Sequence, residues 1–323
     1  MRARLMSVVG VAALVCQSAA AQVIPTRTYY GIDRPVPVDV AVPEGSTGDV
    51  SVRLMNSESA ELARASAEAG PADLAAMFEG FWSEESTRDE VRYAQLFVGD
   101  EAVGAAMVLQ AMRTPELAYL TPQRELRWGG SARFVSGIRA YVEKHAVMET
   151  TEGDITFRMR PDVAPNTVWN FLSLADGGYY TDVIFHRIIG ERPGRAPFVI
   201  QAGDPRGEGV GGPGFFIDLE RSTLPHTFGV LSMARSGDPN SNGSQVFICL
   251  SRAGTQGLDG SYTSFAEAVG GADAILAIES VGVGVNDRPT DPPVIERVRL
   301  VDAPARGTGP APITRPTSES GGR

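Results

Sequence analysis

Three short stretches decide the fold of this chain: FHRII at 185–189, FVIQAGD at 198–204, and LSMA at 231–234 followed by NGSQVFI at 242–248. Each is a short apolar run of the kind that forms a buried β-strand. Arg187 and Gln201 interrupt two of these runs, although an ordinary buried strand needs neither side chain. Because a buried polar group requires a hydrogen-bond partner, each must find one or face a groove.

The order and content of these motifs resemble the signature of the cyclophilin-type peptidyl-prolyl cis-trans isomerases. The resemblance extends from about residue 147 to about residue 301. It implies a mainly β fold in which residues 146–302 form a closed, eight-stranded β-barrel capped by helices.

The residues before the first motif are consistent with the opening of such a barrel. Glu152-Gly153-Asp154 lies between two strand-like runs and predicts a hairpin turn. Val168, Phe171 and Leu172 are spaced for one apolar helix face, with Asn166 or Thr167 as the expected N-cap.

The resemblance also implies roles for individual side chains. Arg187, Gln201 and Phe198 are the expected catalytic residues: Arg187 donates to the prolyl nitrogen, and Gln201 holds either Arg187 or the substrate backbone. Phe198 contributes to a cup for the proline ring. The remaining expected substrate contacts are Val199, Ala234, Arg235, Gln245, Phe247, Leu258 and Tyr262.

Rotation of an X-Pro bond breaks no covalent bond, so it requires neither a nucleophile nor a metal, and we expect no cofactor. Its barrier of about 18–20 kcal/mol comes from the partial double bond of the amide. A donor that matters only in the twisted state lowers this barrier without tightening ground-state binding. On position alone, a structural ion pair with one of the many acids would be the favoured role of Arg187; the accompanying motifs with Gln201 and Gln245 favour the donor role.

Three features depart from the family pattern. Residues 190–197 form a longer link than the family's short Pro-Gly connection, beside the expected pocket. Gly257 stands where some members have tryptophan, and Tyr262 where histidine is common. The glycine substitution predicts weak binding of cyclosporin.

The rest of the chain predicts a second domain. Residues 1–21 read as a signal peptide, 22–35 as a linker and 303–323 as a disordered tail. Apolar residues alternate with other residues in several segments of 36–145, as they do in β-strands. This pattern predicts a β-rich domain of unknown role, with an immunoglobulin-like sandwich as one candidate. Residues 60–69 are rich in alanine and glutamate, which favour a helix, and Pro71 suits the first turn of a second short helix. Both features predict a helical insertion in this domain.

Charge and export signals restrict the partners. The formal charge of −10 argues against nucleic acid as a partner, and no segment is long enough to span a membrane. We expect export to the periplasm or the medium; a lipid anchor at Cys16 is the disfavoured alternative, because Val15 is bulky. Cys249 is expected to be a buried thiol, and the histidines are too far apart in sequence to predict a metal site.

The sequence therefore predicts an exported isomerase that acts on proline-containing polypeptides. The competing interpretation is a catalytically weak scaffold that binds proline peptides, and a third is a chaperone whose N-terminal domain holds clients.

Overall fold

The computed structural model describes residues 21–82, 90–130 and 134–316. Most of the predicted signal peptide, including Cys16, lies outside these residues, as does the end of the predicted tail. Two β-rich halves follow each other along the chain, and they meet at Glu143, between the last strand of one large sheet and the first strand of the next. The predicted boundary at residue 145 falls inside that first strand.

The N-terminal half contains eleven strands and one short helix in its described residues. They are β1 Gln22–Pro25, β2 Tyr29–Gly31, β3 Pro37–Ala41, β4 Val50–Met55, β5 Glu61–Ser66, β6 Gly70–Asp73, α1 Leu74–Met77, β7 Arg92–Val98, β8 Glu101–Arg113, β9 Leu117–Leu120, β10 Leu126–Gly129 and β11 Val135–Val142.

These strands form a six-stranded sheet in the order β2-β11-β8-β7-β4-β5, a three-stranded sheet in the order β1-β3-β6, and the separate β9–β10 hairpin. The two larger sheets enclose one apolar core, in which Val38 and Val40 of β3 meet Leu96 of β7 and Leu109 of β8. The predicted β-rich domain is therefore present. Its candidate immunoglobulin-like assignment is not confirmed, because neither sheet has the strand membership of that fold.

Two local predictions in this half are wrong. Residues 22–35 were expected to be a linker, but β1 pairs with β3 and β2 pairs with β11. The alanine-rich segment expected to be helical forms β5, which pairs with β4 along its length. Sheet pairing outweighs intrinsic helix preference here, since that preference amounts to less than about 1 kcal/mol per residue.

The C-terminal half contains nine strands and three helices. They are β12 Lys144–Thr150, β13 Ile155–Met159, α2 Pro165–Asp176, β14 Val183–Ile184, β15 Arg187–Ile189, β16 Val199–Ala202, β17 Val230–Met233, β18 Val246–Cys249, α3 Arg252–Thr255, β19 Ser264–Gly270, α4 Ala272–Glu279 and β20 Val294–Asp302.

All nine strands lie in one antiparallel sheet in the order β14-β20-β12-β13-β19-β17-β18-β16-β15. The end strands, β14 and β15, are consecutive in the chain and are not paired with each other. Between them, the Phe185 N–H donates to Pro293 O on one side (2.9 Å), and the His186 N–H donates to Gln201 O on the other (3.0 Å). The sheet is thus a nine-stranded half-barrel, which corrects the predicted closed barrel of eight strands.

Helices α2 and α4 pack against this half-barrel. Phe171 of α2 and Ile275 of α4 are fully buried in the same core as Phe157 and Phe265 of the sheet. The predicted N-cap of α2 is wrong: Ala164 occupies that position, and Pro165 begins the helix. The half-buried carboxylate of Glu220 instead accepts from the backbone N–H groups of Asn166 and Thr167, at 3.1 and 2.7 Å. A residue far along the chain therefore replaces the missing side-chain cap.

The described part of the predicted tail, residues 303–316, is attached to both halves, which corrects the expectation of disorder there. The Arg306 guanidinium lies 3.4 Å from the Tyr93 ring centroid and pairs with Glu143 at 3.2 Å. Further on, the Ile313 N–H donates to Ala268 O at 2.9 Å, and Arg315 pairs with Glu279 at 2.7 Å.

Candidate active site

The three sequence motifs come together on neighbouring strands. Strand β16 lies between β15 and β18, so that Arg187 is opposite Gln201 and Gln201 is opposite Phe247. Residues directly opposite in a sheet project to the same face. With strands about 4.8 Å apart, Arg187 and Phe247 are separated by on the order of 10 Å, which suits a dipeptide-sized ligand.

A row of amide side chains runs along this face. Gln201 Nε2 donates to Gln245 Oε1 at 3.0 Å, and Gln245 Nε2 donates to the backbone O of Gly211 at 2.8 Å. Gln201 Nε2 is thus engaged by Gln245, which holds Gln201 beside the groove. Both roles expected for Gln201, holding Arg187 through its amide oxygen or contacting the substrate backbone, are still predictions.

The glycine-rich loop at 205–214 is fixed by one buried carboxylate. Asp204 Oδ2 accepts from the backbone N–H groups of Glu208, Gly209, Val210 and Gly211, at 2.7 to 3.1 Å. Burial alone would raise the pKa of the Asp204 carboxyl, but these backbone donors outweigh burial and lower it. The loop that carries the Gly211 acceptor is therefore held in one place beside the groove.

An apolar cup lies next to the amide row. Val199, Phe247 and Cys249 are buried together with Leu224 and Val230. The half-buried members packed against them include Phe198, Ala234, Leu258 and Tyr262, so every apolar residue predicted for the proline pocket belongs to this single cluster. We call Val199, Phe198, Phe247, Leu258 and Tyr262 the apolar cup.

The last two predicted contacts border the cup. The Ala234 N–H donates to Gln245 O at 2.9 Å. The Arg235 guanidinium stacks on the Tyr262 ring at 4.6 Å and donates to Ser261 O at 3.0 Å. Tyr262 also meets Phe247 edge to face, with ring centroids 5.9 Å apart. Tyr262 thus forms one wall of the cup.

Sequence reasoning missed the support behind the cup. The buried His226 ring stacks on Phe247 at 6.0 Å, and its two nitrogens contact Asp259 Oδ1 at 2.9 Å and Ser232 Oγ at 3.0 Å. Burial lowers the pKa of His226, which favours the neutral ring, although Asp259 opposes this effect. Arg252, at 2.6 Å, holds the pKa of Asp259 well below its usual range. No sequence pattern connected His226 to Asp259.

A polar rim lies on the other side of the groove. The Arg187 side chain is 44% exposed, and its Nε lies 3.6 Å from Asp287 Oδ2. The other carboxylate oxygen of Asp287 accepts from Arg192 at 2.6 Å. We call Arg187, Asp287 and Arg192 the polar rim. Asp287 follows Arg187 by a hundred residues, and no sequence pattern places it here.

Arg192 belongs to the additional loop at 190–197. The loop turns back on itself through paired backbone bonds between Arg192 and Arg195, and the Glu191 N–H donates to Glu279 Oε1 at 3.2 Å. Glu191 and Arg192 contact α4 and the 3-10 turn at Val285–Asp287, and at the other end of the loop the Ser251 hydroxyl donates to Pro197 O at 2.6 Å. The loop therefore borders the rim.

Outside this site, the described residues show no comparable arrangement of polar and apolar side chains. A cavity of about 600 Å³ between the two halves contains none of the ten predicted site residues. Burial raises the pKa of the Cys249 thiol, which makes a thiolate unfavourable. Within the described ranges, no cluster of potential metal ligands occurs, and no helix is both long and apolar enough to cross a bilayer.

Comparison with known proteins places this geometry in a family. The family model described as cyclophilin-type peptidyl-prolyl cis-trans isomerase/CLD matches residues 145–300. Peptidyl-prolyl cis-trans isomerase-like 1 of Emericella nidulans is 44% identical over 160 residues, covering 48% of this chain and 93% of the relative. A putative peptidyl-prolyl cis-trans isomerase of Staphylococcus aureus strain USA300 is 35% identical over 186 residues, with 48% and 91% covered.

Two further matches are limited, one in the share of the relative that is covered and the other in structural similarity. Peptidyl-prolyl cis-trans isomerase 9 of Schizosaccharomyces pombe is 42% identical over 163 residues, but the match covers only 25% of that relative and 49% of this chain. A crystal structure of a cyclophilin-type isomerase from Cryptosporidium parvum, determined with the dipeptide Ala-Pro, has a TM-score of 0.45 and 33% identity, covering 49% of this chain and 99% of that one.

The nearly complete coverage of two of these relatives, at 93% and 91%, defines the class of the C-terminal half as an isomerase of prolyl peptide bonds. The chain belongs to the cyclophilin-type peptidyl-prolyl cis-trans isomerases. Its N-terminal half, including the β9–β10 hairpin, lies outside the part that these relatives match.

Proposed function

We propose that residues 146–302 accelerate X-Pro rotation in exported or unfolded polypeptides, with Arg187 as the donor to the prolyl nitrogen. One observation carries the proposal: a half-exposed guanidinium stands on the same sheet face as an apolar cup, two strands away. A proline ring in the cup would place its nitrogen between the two. The guanidinium stays charged across the physiological pH range, so the donor is always available.

The energy required is modest. As the amide twists, its nitrogen gains lone-pair character and becomes a better acceptor, so a donor aimed at it binds the twisted state more strongly than the planar one. An acceleration of about 10⁵-fold corresponds to about 7 kcal/mol, which a charged donor and substrate positioning can supply together. Gln201 and Gln245 would hold the flanking backbone, and Ala234 and Arg235 would contact residues that precede the proline.

The test is an X-Pro isomerisation assay on a short peptide. We expect the wild type to accelerate exchange and Arg187→Ala to lose about 100-fold or more in kcat/KM, a loss typical of removing one transition-state donor. Arg206→Ala is the matched control, since Arg206 is an exposed arginine paired only with Glu208 on the glycine-rich loop. Equal rates for the wild type and Arg187→Ala would contradict the assignment.

A second candidate, a catalytically weak scaffold that binds proline peptides, is favoured by the Asp287 contact, because a carboxylate already faces Arg187. Under this alternative, the wild type would bind the peptide without accelerating its exchange. We also propose that cyclosporin binds weakly, since Gly257 leaves open space beside Leu258 where a side chain would otherwise contact a ligand.

We propose that the substrates are met outside the cytoplasm. The support is the charged, apolar and small-residue pattern of residues 1–21 together with a single remaining, buried cysteine. Sequencing of the mature protein should give an N-terminus at Gln22 in the exported fraction. Retention of Met1 in a cytoplasmic protein would contradict export.

A further inference from the structure

The β9–β10 hairpin of the N-terminal half presents apolar side chains to solvent. Leu117 and Tyr119 are 50% and 51% exposed, and the hairpin is a two-stranded sheet with no further strand partner among the described residues. Such a hairpin is marginally stable on its own and leaves its outer backbone groups available for another strand.

The register of the hairpin gives it two different faces. Tyr119 is opposite Arg127 and Leu117 is opposite Gly129, so these residues share the exposed face. On the other face, Ala118 is buried, and its partner Trp128 lies 4.6 Å from the Arg221 guanidinium of the isomerase half. The hairpin is thus fixed to the isomerase half by one face and exposes apolar groups on the other.

A short chain of contacts joins the hairpin to the substrate groove. Asn240 Nδ2 donates to Ala118 O at 2.8 Å. Its neighbour Ser241 is hydrogen-bonded to Ser236 at 2.7 Å, and Ser236 directly follows Arg235 at the edge of the groove. The hairpin therefore lies beyond the end of the groove that would hold residues preceding the proline.

The separation can be bounded from this contact path. Two peptide steps of 3.8 Å and two hydrogen-bonded residue pairs put Ala118 at most on the order of 20 Å from Arg235 along this path. An extended chain covers about 3.3 Å per residue, so about six residues are enough to span the path. A peptide that ends two residues before the proline covers only about a third of it, whereas an unfolded polypeptide covers all of it.

The segment between groove and hairpin is also apolar at its surface. Phe215 and Phe216 are 48% and 73% exposed. They precede Ile217, which pairs with Asn242, and Leu219, whose N–H donates to Asn240 Oδ1 at 3.3 Å. Contiguous exposed apolar groups are typical of a binding surface, and this segment is hydrogen-bonded to the residues that connect the groove with the hairpin.

We propose that the β9–β10 hairpin binds the part of an unfolded client that lies about five to seven residues before the X-Pro bond held in the groove. The ligand is an extended segment with leucine or aromatic side chains at those positions, which pack on Leu117 and Tyr119. This inference rests on the proposed function of the groove and adds a second contact for long substrates. It gives the N-terminal half a role in substrate choice.

The experiment compares two peptides with the same X-Pro core, one ending two residues before the proline and one extended by about eight residues that include Leu and Phe. We expect the wild type to show a KM about three- to tenfold lower for the long peptide, because apolar area is buried at the hairpin. The double variant Leu117→Ser/Tyr119→Ser should lose this gain and keep wild-type kinetics on the short peptide. The control is Leu62→Ser, which changes an equally exposed leucine on strand β5.

Two results would overturn the inference: equal KM values for both peptides in the wild type, or a double variant that retains the gain. Absence of any acceleration of the short peptide would instead contradict the proposed function. Binding of the long peptide, measured by fluorescence anisotropy on the wild type and the double variant, would then still decide whether the hairpin takes part.

Discussion

The polar rim and the apolar cup lie on the same face of the sheet but are built in opposite ways. The floor of the cup is buried: Val199 and Phe247 are 3% and 5% exposed, and Phe247 stacks on the buried ring of His226. The rim is open to solvent, and Arg187 has a loose contact with Asp287 at 3.6 Å. Changes in the cup should therefore affect the stability of the protein, whereas changes in the rim should affect the reaction rate.

This difference follows from the energetics of the two sets of contacts. Truncating a packed aromatic side chain loses apolar burial and leaves a cavity. An exposed ion pair contributes little to folding, because water screens it and ordering the side chains costs entropy. A site that joins the two can hold a proline ring firmly while its donor is free to follow the moving nitrogen.

The largest expected effect is in the cup. Phe247→Ala should lower the free energy of unfolding by about 3–5 kcal/mol, the range for a buried phenylalanine. Chemical denaturation measures it. Phe216→Ala is the control, since Phe216 is 73% exposed and its loss should change stability by less than about 0.5 kcal/mol. Similar small losses for both variants would show that the cup does not contribute to the core.

A smaller effect is expected at the rim. Asp287→Ala should leave stability nearly unchanged and lower kcat/KM by up to about fivefold. The reason is that the substitution removes a solvent-accessible charge pair that orients Arg187. Peptide isomerisation kinetics measure it. Asp291→Ala changes an exposed acid in the same loop and should have no effect. An increase in kcat for Asp287→Ala would indicate instead that Asp287 competes with the substrate for Arg187.

The smallest effect expected near neutral pH concerns the histidines. Burial lowers the pKa of His145, His186 and His226 in the folded protein. As the pH falls, the histidines of the unfolded chain therefore take up protons before those of the folded protein. The free energy of unfolding should be level above about pH 6.5 and decrease as the pH falls below it.

Denaturation at several pH values measures this slope, and His186→Gln should reduce it. Greater stability at pH 5.5 than at pH 7.5 would contradict the assignment of neutral, buried histidines. The donor role of Arg187 does not depend on these groups.

Much of the site could be predicted from sequence, because its residues lie in three local motifs. Arg187 and Gln201 each interrupt a short apolar run, Phe247 lies within another, and adjacent strands bring the three together. The family resemblance supplied the apolar cup, which periodicity alone would have assigned to the core. The number of strands and the open ends of the sheet could not be predicted in the same way. Phe185 and His186 are consecutive in the chain, yet Phe185 is hydrogen-bonded at one edge of the sheet and His186 at the other.

Contacts between distant segments could not be predicted. Asp287, Glu220 and Asn240 act through partners far away in sequence, and none stands in a pattern that identifies its partner. The short strands β1 and β2 contain too few residues to show the alternation of apolar and polar residues that predicts a strand. The alanine-rich segment favours a helix by composition, but pairing with β4 makes it the strand β5. The docked tail depends on single contacts of the same kind, such as that of Arg306 with Tyr93.

The most direct test of the central claim is the separation of kcat from KM in Arg187→Lys on a short X-Pro peptide. Lysine keeps the positive charge but loses the planar fork of donors. If Arg187 acts mainly on the twisted amide, kcat should fall about tenfold or more while KM changes by less than about twofold. A raised KM with unchanged kcat would show that Arg187 only holds the ground-state substrate, and the donor role would be wrong.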